Sequence, residues 1–188
     1  GIKATDKEQL GSIKIYKEGE VLVGWNGSNF TYETRKLPGA TFKVTAGADI
    51  YKADGTKVYS KGDVIAENLV SGSDGQAVLS DLHLGTYVVT ETKSIDGYTI
   101  NATPQTVKIE YKDQNVTVQA ESTTIKNSRQ KAEVSVVKKD SDTDNPLTGG
   151  QYTLYAGNDI KNYDGKVIVT KGAALQTVTT GADGKATY

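Results

Sequence analysis

Three polar residues stand where an alternating strand should place carbon. In SIKIYK, Ile13 and Ile15 share one strand face, and the two-residue period puts Lys17 on it too. In YVVTET, Tyr87 and Val89 lead to Glu91; in TTIKN, Thr123 and Ile125 lead to Asn127. The stretch EVSVVKK repeats the first pattern with Val134, Val136 and Lys138. A lone buried charge is costly, so each inward group either meets a partner or lies at a strand end and reaches water.

A lysine, an acid and an asparagine meeting in one core have an amide transfer open to them. Burial favours a neutral Lys17 amine, able to attack. The same burial is expected to keep the Glu91 carboxyl protonated, so that it polarises the Asn127 carboxamide and shuttles protons. Fixing amine and amide in contact supplies the effective molarity that amides otherwise lack. Ammonia leaves, and a Lys–Asn isopeptide bond joins the first strand to the last. For any one residue the strand-end reading remains open; the three together favour the crosslink.

These residues need strands to position them, and the chain is rich in strand signals. Alternating segments recur at 12–17, 40–44, 76–79, 86–91, 106–110, 116–120 and 123–127. Asp54-Gly55, Asp74-Gly75 and Asp96-Gly97 punctuate them as turn dipeptides. Helical spacing is absent. Strands at this pitch predict an all-β sandwich or barrel. With 36% hydrophobic and 24% charged residues the chain can fill a core. A net charge of -1 gives no electrostatic case for nucleic acid or an anionic membrane. No apolar run nears the roughly 18 residues of a membrane span. The chain has no cysteine, which excludes disulfides, thiol nucleophiles and cysteine metal sites.

An internal repeat organises the sequence. AGADIYKADGTKVYSKGDVI from Ala46 matches AGNDIKNYDGKVIVTKGAAL from Ala156 at an offset of 110 residues, as LPGATFKV matches LTGGQYTL. SDGQAVL matches ADGKATY after a one-residue slip, and GSIKIYKE matches AEVSVVKK. The expected organisation is an N-terminal extension (1–10), a first module (11–129) with an inserted segment around 24–34, and a second module (130–188). The second is expected to be incomplete, ending before its last strands, with Lys138 lacking an intramodule glutamate and asparagine.

Several motifs together carry a family likeness. YVVTETKSIDGY resembles the E-box, ETxAPxGY in its core, of collagen-adhesin B-type (Cna B, SpaA-like) domains of Gram-positive surface proteins and pilins, with Ile95 where the motif has proline. GSIKIYK is similar to that family's opening strand with its reactive lysine at Lys17. LPGATFKV resembles the LxGAxF strand, and TTIKN resembles the closing strand with its asparagine at Asn127. The likeness spans about residues 11–127. It implies tandem immunoglobulin-like (prealbumin-like) β-sandwich modules, Glu91 as the acid promoting the crosslink, and no cofactor or metal. It further implies a non-enzymatic stalk or shaft element displayed outside the cell and attached to the wall. Neighbouring modules of the same polypeptide are the implied partners, without nucleic acid or direct membrane insertion.

Two other functions stay open. Trp25, Phe30 and Tyr32 in the insertion GWNGSNFTYETR form a candidate ligand patch for a glycan or host matrix protein, or else part of a loop folded onto its own sandwich. An accessory domain of a secreted hydrolase would need a catalytic neighbour outside this chain. The run DSDTDN has Asn145 where a calcium loop needs glycine and reads as a polar turn. His83 has no catalytic constellation, LPGAT reads as a strand entry, and VYSK reads as part of a hairpin.

Overall fold

Alternation in the opening segment becomes one long strand, β1 (Leu10–Trp25), with Ile13, Ile15 and Lys17 buried and Ser12, Lys14 and Tyr16 half-buried. The computed structural model describes residues 8–112 and 118–188. The extension expected over 1–10 and the strand expected over 116–120 lie partly outside them. Among the described residues every regular element is a strand, which makes the fold all-β as the sequence predicts. By internal contacts the chain divides in two. The first unit contains the described residues up to Gly19 and Thr34–Arg129; the second contains Glu20–Glu33 and Gln130–Tyr188.

β1 runs eight residues beyond the expected 12–17 segment because β2 (Phe30–Lys36) pairs with it across a turn at 26–29. There Gly27 has φ 97°, and the Asn26 side chain accepts the N–H groups of Ser28 and Asn29. β3 (Thr41–Ala46), β4 (Ile50–Tyr51), β5 (Lys57–Tyr59), β6 (Val64–Val70), β7 (Gln76–His83), β8 (Gly85–Lys93), β9 (Gln105–Ile109) and β10 (Val118–Asn127) follow. One sheet of the first unit sets β1 between a parallel β10 and an antiparallel β7. The other runs β6-β3-β8-β9. Ile13, Ile15 and Ile125 from the first sheet and Phe42, Val44, Tyr87 and Val89 from the second share a single core. Each fully buried side chain of this kind contributes roughly 1.5–3 kcal/mol.

The second unit repeats this wiring on a smaller scale. β11 (Ser135–Val137) pairs β16 (Lys185–Thr187), β12 (Gln151–Tyr155) pairs β15 (Ala174–Thr179), and β13 (Ile160–Lys161) pairs β14 (Val167–Val169). The 110-residue offset is preserved in the hairpin ladder: Ile50↔Tyr59 and Tyr51↔Lys57 become Ile160↔Val169 and Lys161↔Val167. The one-residue slip also has a physical place. Phe42 pairs Leu69 and Val44 pairs Ala66, so β6 carries one extra residue there, and Asn68 sits at φ 56°. In the second unit Tyr152 pairs Val178 and Leu154 pairs Gln176, with no extra residue between.

Gly75 and Gly184 close corresponding turns at φ 73° and 71°. Each carbonyl accepts the backbone N–H of a candidate lysine, Lys17 at 2.8 Å and Lys138 at 2.7 Å. A Cβ on Gly75 would lie 2.7 Å from that of Lys36, so a side chain here meets both strain and a clash.

Candidate functional site

Lys17, Glu91 and Asn127 converge from three strands. β1 and β10 lie side by side with Lys17 opposite Ile125 and Gly19 opposite Asn127. β8 belongs to the facing sheet and brings Glu91 inward from a register in which it pairs with Phe42. The relative exposures are 0% for Lys17, 1% for Glu91 and 5% for Asn127, so none of the three reaches water from a strand end. The strand-end reading is therefore set aside for all three.

Inside the site the Lys17 Nζ lies 3.6 Å from Glu91 Oε1 and donates to the carbonyls of Glu18 and Ile125 at 3.1 and 3.3 Å. Asn127 Nδ2 reaches both oxygens of the same carboxylate, Oε1 at 2.9 Å and Oε2 at 2.8 Å. One oxygen, Oε1, thus faces both the amine and the amide nitrogen. Burial pushes the Lys17 amine below the lysine value of 10.5, against the opposing attraction of Glu91. That loss of water favours the uncharged, nucleophilic amine. Asn127 Oδ1 is buried and has no hydrogen-bond partner among the described residues.

Two residues at the site escaped the sequence reading. Ser94 Oγ accepts from Asn127 Nδ2 at 2.8 Å, and the backbone N–H of Asn101 donates to Glu91 Oε2 at 2.8 Å. Ser94 had a signal, since it stands at the alanine place of the ETxAPxGY pattern. Asn101 had none, because its contribution is a main-chain group positioned by a loop. Ile95, which replaces the motif's proline, packs partly buried against the core.

The remaining candidates lie elsewhere. Lys138 is exposed at the end of its strand segment. The arm that carries the aromatic trio groups with the second unit, where Leu22 O accepts the Tyr163 N–H at 3.0 Å and Val23 O accepts from Asn162 Nδ2 at 3.1 Å. Trp25 and Phe30 are half-buried with ring centroids 4.7 Å apart, and Tyr32 is exposed beneath the Lys131 ammonium at 6.0 Å. In the run 140–145, Asp140 Oδ1 accepts the N–H groups of Asp142 and Thr143, both at 2.9 Å, which holds its carboxyl below the usual range. His83 Nδ1 pairs with Glu8 Oε1 at 2.8 Å. LPGAT leads into β3, and VYSK begins in β5.

A family model described as "SpaA: Prealbumin-like fold domain" matches residues 30–124, which include Glu91 and Ser94. No curated protein sequence matches the chain. Among solved structures, the TIE protein of Bacillus anthracis is 22% identical with a TM-score of 0.60, over 96% of this chain and 26% of that one. The minor pilin GBS52 of Streptococcus agalactiae is 23% identical with a TM-score of 0.44, over 67% and 47%. The major pilin SpaA of Corynebacterium diphtheriae is 24% identical with a TM-score of 0.43, over 64% and 31%. The chain thus spans from about a quarter to half the length of these structures.

Proposed function

Because the chain belongs to the SpaA prealbumin-like fold domain family, we propose that its first unit is a load-bearing module of a Gram-positive surface adhesin or pilin, locked by a Lys17–Asn127 isopeptide bond. Glu91 promotes the reaction as a proton carrier whose two oxygens both lie within reach of the Asn127 Nδ2 hydrogens, in place of the protonated acid that the sequence reading expects. The neutral amine of Lys17 attacks Cγ of Asn127, and a proton from Nζ passes to Glu91 Oε1. Glu91 returns a proton to Nδ2, the Cγ–Nδ2 bond breaks, and ammonia departs as the Nζ–Cγ amide forms. The carboxylate ends as it began, and the chemistry happens once per molecule. The module is thus a structural element, not an enzyme that turns over a substrate.

One observation carries this reading: a buried amine and a buried carboxamide face the same glutamate oxygen, 3.6 and 2.9 Å away. An ordinary core has little reason to hold this trio, since a buried ion pair is no better than apolar packing and often worse. Extracellular display attached to the cell wall, with neighbouring modules of the same polypeptide as partners, belongs to the same reading and is supported by the family match. Intact mass spectrometry tests the reading. The wild-type protein should fall short of its sequence mass by one ammonia, and Glu91→Ala should restore the full mass. A wild-type protein at full sequence mass would remove the crosslink.

A further inference from the structure

The atom that must leave in this reaction is Asn127 Nδ2, and its surroundings are unevenly built. Two hydrogens on that nitrogen face three acceptors: Glu91 Oε1 at 2.9 Å, Glu91 Oε2 at 2.8 Å and Ser94 Oγ at 2.8 Å. A carboxylate oxygen carries two lone pairs, so a hydrogen bond from Nδ2 to Oε1 does not block it, but it occupies one pair and weakens that oxygen as a base for the proton that Lys17 must shed. The Ser94 hydroxyl relieves that load. It accepts one hydrogen and Oε2 accepts the other, while Oε2 is also held by the Asn101 N–H at 2.8 Å. Oε1, the oxygen 3.6 Å from the amine, is then open.

We infer that Ser94 is a further catalytic residue of the crosslinking reaction, holding the departing nitrogen of Asn127 so that Glu91 Oε1 can serve as the proton carrier. The inference rests on the isopeptide reading above. The Ser94 hydroxyl has the Thr99 carbonyl 3.4 Å away as an acceptor for its own hydrogen, a long contact that leaves its lone pairs available to Nδ2. Ser94 is half-buried whereas Glu91 is fully buried, so Ser94 touches Nδ2 from the side nearer to solvent. The carbonyl side offers no comparable help, since Asn127 Oδ1 meets no donor among the described residues. Assistance in this site is concentrated on the leaving group.

Pulse synthesis in a cell-free system, quenched in detergent at intervals and read as the crosslinked fraction, measures the rate. Ser94→Ala should reach the same final crosslinked fraction about tenfold more slowly, the size of one lost hydrogen bond to a reacting group. Ser94→Thr keeps the hydroxyl and should retain most of the rate, which a purely steric role would not grant. Glu91→Ala should give no crosslink. If wild type and Glu91→Ala behave as stated while Ser94→Ala matches the wild-type rate, or Ser94→Thr is as slow as Ser94→Ala, the Ser94 role fails and the crosslink stands. If wild type forms no crosslink, both ideas fall together.

Discussion

Lys17 and Lys138 make matching backbone hydrogen bonds in entirely different surroundings. The N–H of each donates to a turn glycine, Gly75 or Gly184, and the carbonyl of each accepts from a leucine N–H, Leu37 at 2.9 Å or Leu147 at 3.0 Å. Local repetition therefore reproduces the strand, the turn and the returning segment. It does not reproduce burial: Lys17 is 0% exposed, while Lys138 is open to solvent. Lys17 is enclosed by Glu91 of β8 and by β10, both more than seventy residues further along the chain. Among the described residues β11 pairs with β16 alone. A nearby hairpin can set a lysine's backbone, but strands distant in sequence bury it and lower its pKa.

The comparison can be broken most decisively at the bond. Lys17→Ala should lower unfolding free energy by on the order of 4–5 kcal/mol through loss of a closure spanning residues 17 and 127, read by chemical denaturation. A loss near 1 kcal/mol would mean that the wild type carries no such closure. Next comes the core. Phe42 and Tyr152 are repeat counterparts, yet Phe42 is fully buried and Tyr152 half-buried. Phe42→Ala should cost about 3–4 kcal/mol and Tyr152→Ala less than half of that. Equal costs would show that the second unit is as tightly packed as the first.

Where the two units are alike, the same substitution should cost the same. Ser71 Oγ accepts from the Ala40 N–H at 3.1 Å and donates to the Leu37 carbonyl at 2.9 Å. Thr180 Oγ1 bridges Gly150 N–H and the Leu147 carbonyl at 2.9 and 2.8 Å. Ser71→Ala and Thr180→Val should each lose about 1–2 kcal/mol, because both leave buried or half-buried backbone groups unpaired. A large inequality would contradict the shared scaffold.

The uncrosslinked amine has its own signature. Asn127→Ala keeps Lys17 but removes its acyl partner. Since burial lowers the Lys17 pKa, the folded state binds fewer protons than the unfolded one, and stability rises with pH in a window ending at 10.5. The slope cannot exceed about 1.4 kcal/mol per pH unit for one proton. Tyr87 acts in reverse: burial and Tyr59 push it up to about 12, so it subtracts stability only above 10. The readable range is therefore below that point, and a flat or falling profile there would contradict the depressed amine. Smallest of all, Lys138→Ala should change neither the mass deficit nor the stability by more than about 0.5 kcal/mol.

Much of this architecture was legible because period two is rigid. Once Ile13, Ile15, Tyr87, Val89 and Ile125 were placed inward, Lys17, Glu91 and Asn127 had to follow them. The 110-residue offset was legible for a similar reason, since hairpin registers are fixed by turn residues such as Gly55 and Gly165. The extension of β1 to Trp25 was not, because polar Glu18, Gly19 and Glu20 interrupt the hydrophobic signal and only pairing with β2 sustains the strand. Ser94 and Asn101 were hidden by their loops, where backbone conformation and not periodicity decides which group points at the acid.

The parallel pairing of β1 and β10 has a mechanical consequence. The chain enters at the Leu10–Val118 end of this ladder and leaves at the Gly19–Asn127 end. Tension applied at those two points drags the strands past each other lengthwise, so ten paired positions are strained at once instead of parting one after another like a zip. In the uncrosslinked ladder rupture demands a cooperative slip of all ten pairs, and the proposed Lys17–Asn127 bond forbids that slip.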